Sequence, residues 1–153
     1  MIYADSSFLF SLYAWDDNTA AASRVYRADG RRPLLFTPWQ RLELRNAVRL
    51  VVHRLKAAGQ PIRFQAGNVF RRIEADLDGG CLRHADTEDR AVFRLAETLS
   101  AAHTEALGCA AVDLWHVAAA IALEADTFWT FDQDQHSLAS ATGRFRRVPK
   151  LTP

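Results

Sequence analysis

Asp5, Glu43, Asp113 and Asp132 each stand where an apolar run ends, or where a helix begins or runs inward. Carboxylates gathered from such scattered positions repel one another, so they persist as a group mainly where a cation or protons neutralise them. The chemistry this points to is metal chemistry. Single Asp residues after strands and at helix starts also serve as turn and cap residues, so the combination carries the argument. Glu43 is the hardest to explain as a cap, because it lies on the flank of an apolar helical stripe. Asn46 and Ala47, three and four residues on, share its face and leave room for a small hydrated cation. Oxygen donors without paired histidines favour Mg2+ or Mn2+ over zinc. The five histidines, His53, His84, His103, His116 and His136, form no HxxxH pair. His116 follows Asp113 by one helical turn and reads as a packing or hydrogen-bonding residue, not a ligand.

The elements that must position these carboxylates alternate. Met1 to Ala4 reads as a short buried strand with Asp5 at its carboxyl end, and Ser6 or Ser7 can cap an apolar helix to about Ala14. The Asp16 to Thr19 cluster precedes a helix over Ala20 to Ala28, stopped by Asp29-Gly30. Leu34 to Phe36 is a strand, and Thr37-Pro38-Trp39-Gln40 combines a capping box with proline at the first helical position. Leu44, Val48, Val51, Val52 and Leu55 then recur at helical spacing until Gly59 and Pro61. Further helices are expected over Ile62 to about Leu77, over Ala91 to Ala102 after a cap at Asp86 or Thr87, and over Leu114 to Glu124 opened by Asp113. Cys81-Leu82, Thr127 to Phe131 and Phe145 to Val148 are the remaining strand candidates, with Asp132 directly after the second. Strands separated by helices imply a parallel α/β sheet, whose ligands bind beyond the strand carboxyl ends.

At 153 residues, with 49% hydrophobic and 24% charged residues, the chain suits one domain with its own core and does not suit a disordered or fibrous class. The formal net charge of +1 argues against a general polyanion coat. Lys56 and Lys150 are the only lysines, so the basic side chains are overwhelmingly arginine, which suits bidentate contact with phosphate. Cys81 and Cys109 have neither metal nor redox spacing and read as free thiols. The apolar start lacks a basic leader and contains Asp5, and no stretch approaches the roughly 20 apolar residues of a membrane span. The expectation is a cytoplasmic protein without a membrane segment.

Five segments together resemble a known family. They are Ile2-Tyr3-Ala4-Asp5-Ser6-Ser7, Leu42-Glu43-Leu44, Ala85-Asp86, Val112-Asp113-Leu114-Trp115-His116-Val117-Ala118 and Phe128-Trp129-Thr130-Phe131-Asp132. In order and spacing they are similar to PIN-domain ribonucleases, especially the VapC toxins of prokaryotic toxin–antitoxin pairs. The resemblance spans nearly the whole chain. It implies a single PIN-like domain over residues 1–153, an α/β three-layer sandwich with a central, mostly parallel sheet of four to five strands flanked by helices. It also implies that Asp5, Glu43, Asp113 and Asp132 form a metal-binding, catalytic acidic pocket, with Ser7 and Thr130 in supporting polar positions. Asp134 is an alternative to Asp132 for the fourth acidic position.

The expected activity is Mg2+- or Mn2+-dependent endoribonuclease cleavage of transfer RNA or another structured RNA, leaving a 3′-hydroxyl and a 5′-phosphate. The resemblance further implies homodimerisation and a VapB-like antitoxin that places a basic side chain against the pocket in a toxin–antitoxin hetero-oligomer. Arg41, Arg45 and Arg49 recur along the Glu43 helix, but at about 100° per residue they face away from Glu43. Arg71, Arg72, Arg144, Arg146 and Arg147 are other cationic groups, for each of which a solvated face is the simpler reading. Trp39, Trp115 and Trp129 sit in apolar patterns and read as core, leaving Trp15 as the exposed aromatic. Phosphotransfer domains fit poorly, since Ser7 stands where a haloacid-type phosphatase needs a second Asp. A non-catalytic PIN-like RNA- or protein-binding module is the alternative.

Overall fold

A computed structural model describes residues 1–152. Four three-residue strands form the sheet: β1 (Ile2–Ala4), β2 (Leu34–Phe36), β3 (Leu82–His84) and β4 (Thr127–Trp129). Each of the first three is followed by two helices, α1 (Ser6–Tyr13) and α2 (Thr19–Ala28), α3 (Pro38–Ala57) and α4 (Ala66–Asp78), α5 (Asp89–Leu107) and α6 (Ala111–Ala122). After β4 comes α7 (Gln133–Thr142). The strand order is β3-β2-β1-β4 and every pairing is parallel. Helical connections of this length are what parallel pairing requires.

The pleat sorts side chains into two cores. Ile2, Ala4, Leu34, Phe36, Leu82 and Trp129 face a layer built from α1 to α4, while Tyr3, Leu35 and Phe128 face one built from α5 to α7. The result is a three-layer α/β sandwich of the PIN-like kind expected, with four strands. In register, Tyr3 lies opposite Phe128, and their rings stack with centroids 5.6 Å apart.

The strand order matters for function. β1, β2 and β3 step outward in one direction, whereas β4 returns to the other side of β1. The chain therefore switches direction between β1 and β4, the point where doubly wound sheets open a crevice beyond their carboxyl ends. Asp5 immediately follows β1 and Thr130 immediately follows β4.

The Thr37 capping box forms as read. Thr37 Oγ1 accepts from the Gln40 amide at 3.2 Å, and Gln40 Oε1 accepts from the Thr37 amide at 2.7 Å. Gln40, fully buried, also donates from Nε2 to the Ala4 carbonyl at 2.6 Å, tying the start of α3 to the end of β1. Cys81 and Cys109 are free thiols, and no helix among the described residues is long and apolar enough to cross a membrane.

Several local expectations are corrected. Asp5, not Ser6 or Ser7, is the N-cap of α1, with Oδ1 accepting from the Phe8 amide at 2.9 Å. α4 begins at Ala66, so Ile62 to Phe64 lie outside it. α5 runs from Asp89 to Leu107 with Glu88 at its cap position, and neither Asp86 nor Thr87 caps it. α6 starts at Ala111, which places Asp113 in its first turn and not ahead of it. Phe145 to Val148 forms no strand, only a parallel bridge between Arg147 and Thr127. Trp39 is 41% exposed, whereas Trp115 and Trp129 are buried.

Replacing Gln40 by Ala leaves the buried Ala4 carbonyl and Thr37 amide without partners, which costs on the order of 1–3 kcal/mol. Urea denaturation of Gln40→Ala is expected to show that loss, and wild-type stability would contradict the tie between α3 and β1.

Candidate active site

Asp5 is 1% exposed and is surrounded by donors. Ser7 Oγ lies 2.8 Å from each of its oxygens, the Phe8 amide donates to Oδ1, and Thr130 Oγ1 donates to Oδ2 at 2.9 Å. Burial pushes its pKa above the ordinary carboxylate value, and the opposing pull of His116, the Phe8 amide and the two hydroxyls does not cancel that. A buried carboxylate that retains this penalty despite a full set of hydrogen bonds is stabilised further by added positive charge.

Thr130 connects Asp5 to Asp132. The same hydroxyl that donates to Asp5 accepts from the Asp132 amide at 2.8 Å, and Ser7 Oγ accepts from the Phe131 amide at 3.1 Å. The two strand ends on either side of the switch point are thus joined through Ser7 and Thr130. Asp132 caps α7, its Oδ1 accepting from the amides of Asp134 at 2.8 Å and Gln135 at 3.1 Å.

Asp113 enters from α6. It is 6% exposed, and its Oδ2 accepts from the Ala110 amide at 3.0 Å, closing the first helical turn backward. Burial raises its pKa first, and the nearby charges of Asp132 and Asp134 raise it further, against the Ala110 amide and the Gln135 side chain. Mutual repulsion places these three carboxylates in one electrostatic neighbourhood. Asp134 itself is exposed.

Glu43 reaches the group through a different set of bonds. Its Oε2 accepts from the Ser6 hydroxyl and lies 2.7 Å from His116 Nε2, and His116 Nδ1 lies 2.9 Å from the Tyr3 hydroxyl. With Glu43 ionised and the imidazole neutral, Nε2 carries the proton and donates, leaving Nδ1 to accept from Tyr3. Burial pushes the Glu43 pKa up, but the bonds from His116 and Ser6 outweigh it and hold the group below the ordinary value. His116 is completely buried and has the structural use read from sequence. Its role is nonetheless specific, since it fixes the Glu43 carboxylate. Ser6 and Tyr3 were the residues sequence reasoning missed here; nothing in their local spacing reveals partners 37 and 113 residues away.

Asp5, Ser7, Thr130 and Asp132 therefore form one hydrogen-bonded group, Glu43 adjoins it through Ser6 and His116, and Asp113 adjoins it electrostatically. No protein donor meets Glu43 Oε1 or Asp132 Oδ2 among the described residues. In donor type the set fits a hard divalent cation, being oxygen throughout, with Asp5 raised by burial and Asp113 by burial and repulsion. In position, no three His, Cys, Asp or Glu side chains among the described residues converge to metal-binding distance. The arginines of α3 point elsewhere. Arg41 and Arg45 bridge to Glu74 of α4 at 2.7 and 2.9 Å, and Arg45 and Arg49 lie over the Phe70 ring. Comparison with family models and with curated proteins returned no match.

Because burial raises the Asp5 pKa, the folded chain holds this proton more tightly than the unfolded one. The cost of its charged form is absent below the ordinary value of 3.8 and grows as pH rises through the raised folded value. Asp5→Asn removes that cost and keeps a capping side chain. In chelator-treated buffer, the stability of Asp5→Asn relative to wild type is expected to climb as pH rises above the ordinary carboxylate value of 3.8. A stability difference that does not change with pH in denaturant melts would contradict a desolvated carboxylate at this position.

Proposed function

We propose that this protein is a Mg2+- or Mn2+-dependent endoribonuclease of the PIN type, acting as a VapC-like toxin on transfer RNA or another structured RNA. The observation that carries the reading is the link from the Asp5 carboxylate through the Thr130 hydroxyl to the Asp132 backbone amide across the β1/β4 switch point, braced by Ser7 on the Phe131 amide, with the charge of Asp132 acting on Asp113 and with Ser6 and His116 holding Glu43. Asp5, Glu43, Asp113 and Asp132 come from four separate chain segments, and Asp5 and Asp132 follow the carboxyl ends of β1 and β4, where this fold class binds ligands. The sequence resemblance supports the same residues.

When bound there, Mg2+ or Mn2+ supplies Lewis acidity and charge neutralisation for phosphodiester hydrolysis. Asp5, Glu43, Asp113 and Asp132 are the residues that would hold it. The chain's other contributions are positional. Ser7 and Thr130 lock the Asp5 carboxylate, His116 locks Glu43, and the Ala110 amide restrains Asp113, so little reorganisation remains when charge develops on the phosphate. In the overall reaction a water oxygen bonds to phosphorus as the P–O3′ bond breaks. The products carry a 5′-phosphate and a 3′-hydroxyl, and the hydroxyl takes up a proton.

Homodimerisation and restraint by a VapB-like antitoxin belong to the same proposal, and the acidity of the pocket suits a basic antitoxin side chain. One observation favours a second reading, that of a non-catalytic PIN-like RNA- or protein-binding module: the donors stand apart at metal-coordinating scale.

RNA cleavage assays decide between the two. Mg2+- or Mn2+-dependent cleavage is expected for wild type, and Asp5→Asn and Asp113→Asn are expected to lower it by at least about a hundredfold while leaving the circular dichroism spectrum unchanged. Wild-type cleavage by either variant, or cleavage that persists in excess chelator, would overturn the metal-nuclease reading.

A further inference from the structure

A hollow of about 360 Å³ opens beside the candidate active site, sharing Thr130 and Asp132 with it. Its other walls come from the turn before α2, from α7 and from the last residues of the chain, through Asn18, His136, Ser137 and Lys150. Among the described residues that line it, the one permanent cation is Lys150, which is exposed. Nε2 of His136 is enclosed and has no hydrogen-bond partner, a condition that buried polar atoms rarely keep without a ligand or water to complete it. The Asn18 side-chain amide adds a donor to the same wall, while the Ser137 hydroxyl is already donated to the Gln133 carbonyl at 2.8 Å.

Resting on the nuclease reading above, we propose that this hollow is a binding subsite for an RNA backbone phosphate flanking the bond cleaved beside Asp5 and Asp132. An acidic pocket repels a polyanion, so a strand crossing it needs a cationic foothold nearby. Several of the arginines are engaged elsewhere, and none lines the hollow. Arg41 and Arg45 bond to Glu74, Arg72 bonds to the carbonyls of Tyr13 and Leu12, and Arg147 and Arg32 bond to Asp29. Lys150 has no such partner among the described residues and lines the same hollow as Asp132. The Lys150 ammonium and the Asn18 amide together make a donor pair for phosphate oxygens, with Asp132 as the one carboxylate in the lining. The contact reads backbone and not base, so it contributes affinity without sequence preference.

The test uses the full-length Asp5→Asn chain, so that RNA is held and not cut, and measures binding of a fluorescein-labelled single-stranded RNA by anisotropy across a salt series. In that background Lys150→Ala is expected to weaken binding about tenfold for every sequence tried and to reduce the slope of log affinity against log salt by about one. Affinity and slope both unchanged by Lys150→Ala, with RNA still bound by the parent, would overturn the subsite and leave the nuclease reading standing. No RNA binding by the parent at any salt would overturn both. Loss of binding to one sequence alone would also overturn the subsite, because it would show base recognition in place of a phosphate contact.

Discussion

The Asp5 carboxylate is the constraint on which the rest depends. It is placed by three independent features of the chain: the end of β1, the start of α1, which it caps, and the end of β4, whose Thr130 hydroxyl donates to it. Removing it from water raises its pKa, so the fold accepts a penalty at its most central polar position. Natural proteins retain such penalties at functional sites more often than elsewhere. The bonds that partly offset it also join the two strands flanking the switch point, so local stability and site assembly rest on the same atoms.

Around that centre the carboxylates divide by environment. Asp5 and Asp113 are raised by burial, and Asp113 further by its acidic neighbours, whereas Glu43 is lowered because His116 and Ser6 donate to it. A cation would relieve the first two directly. Glu43 is already stabilised as an anion, and the Tyr3–His116–Glu43 series gives it a fixed orientation from the opposite core layer. The site is thus assembled from both faces of the sheet, with Tyr3 and His116 on one side and α1 and α3 on the other.

Much of this was legible in sequence because the relevant signals are local. The Thr37 to Gln40 capping box, the strand before Asp5 and the aromatic run Thr127 to Phe131, of which Thr127–Trp129 forms β4, each announce themselves within a few residues, and the alternation of strands with helices implied the parallel sheet. The misses share a cause, which is that long-range partners decided them. Residues 133–142, with mean polarity high and apolar spacing weak, form α7 because Asp132 caps it and Leu138 and Ala139 dock on the α5–α6 layer. Phe145 to Val148 has strand-like residues, but only Arg147 finds an edge to pair with. Trp39 sits in an apolar pattern yet lies on the outer side of the helix start, tilted against Trp115 at 5.3 Å. The use of His116 to hold Glu43, and of Arg41 and Arg45 to hold Glu74, required distances between helices that no spacing along one element encodes.

In the proposed metal site Asp5, Asp113 and Asp132 would share one divalent cation at the switch point, with Glu43 beside it. The most direct measurement is a titration of 15N-labelled protein with substoichiometric Mn2+, followed by paramagnetic broadening of backbone amides and competed with Mg2+. Broadening that begins together at Asp5, Asp113, Thr130 and Asp132 and is reversed by Mg2+ is the result predicted. Broadening scattered over exposed carboxylates such as Asp17 and Glu88, with these four amides untouched, would contradict it.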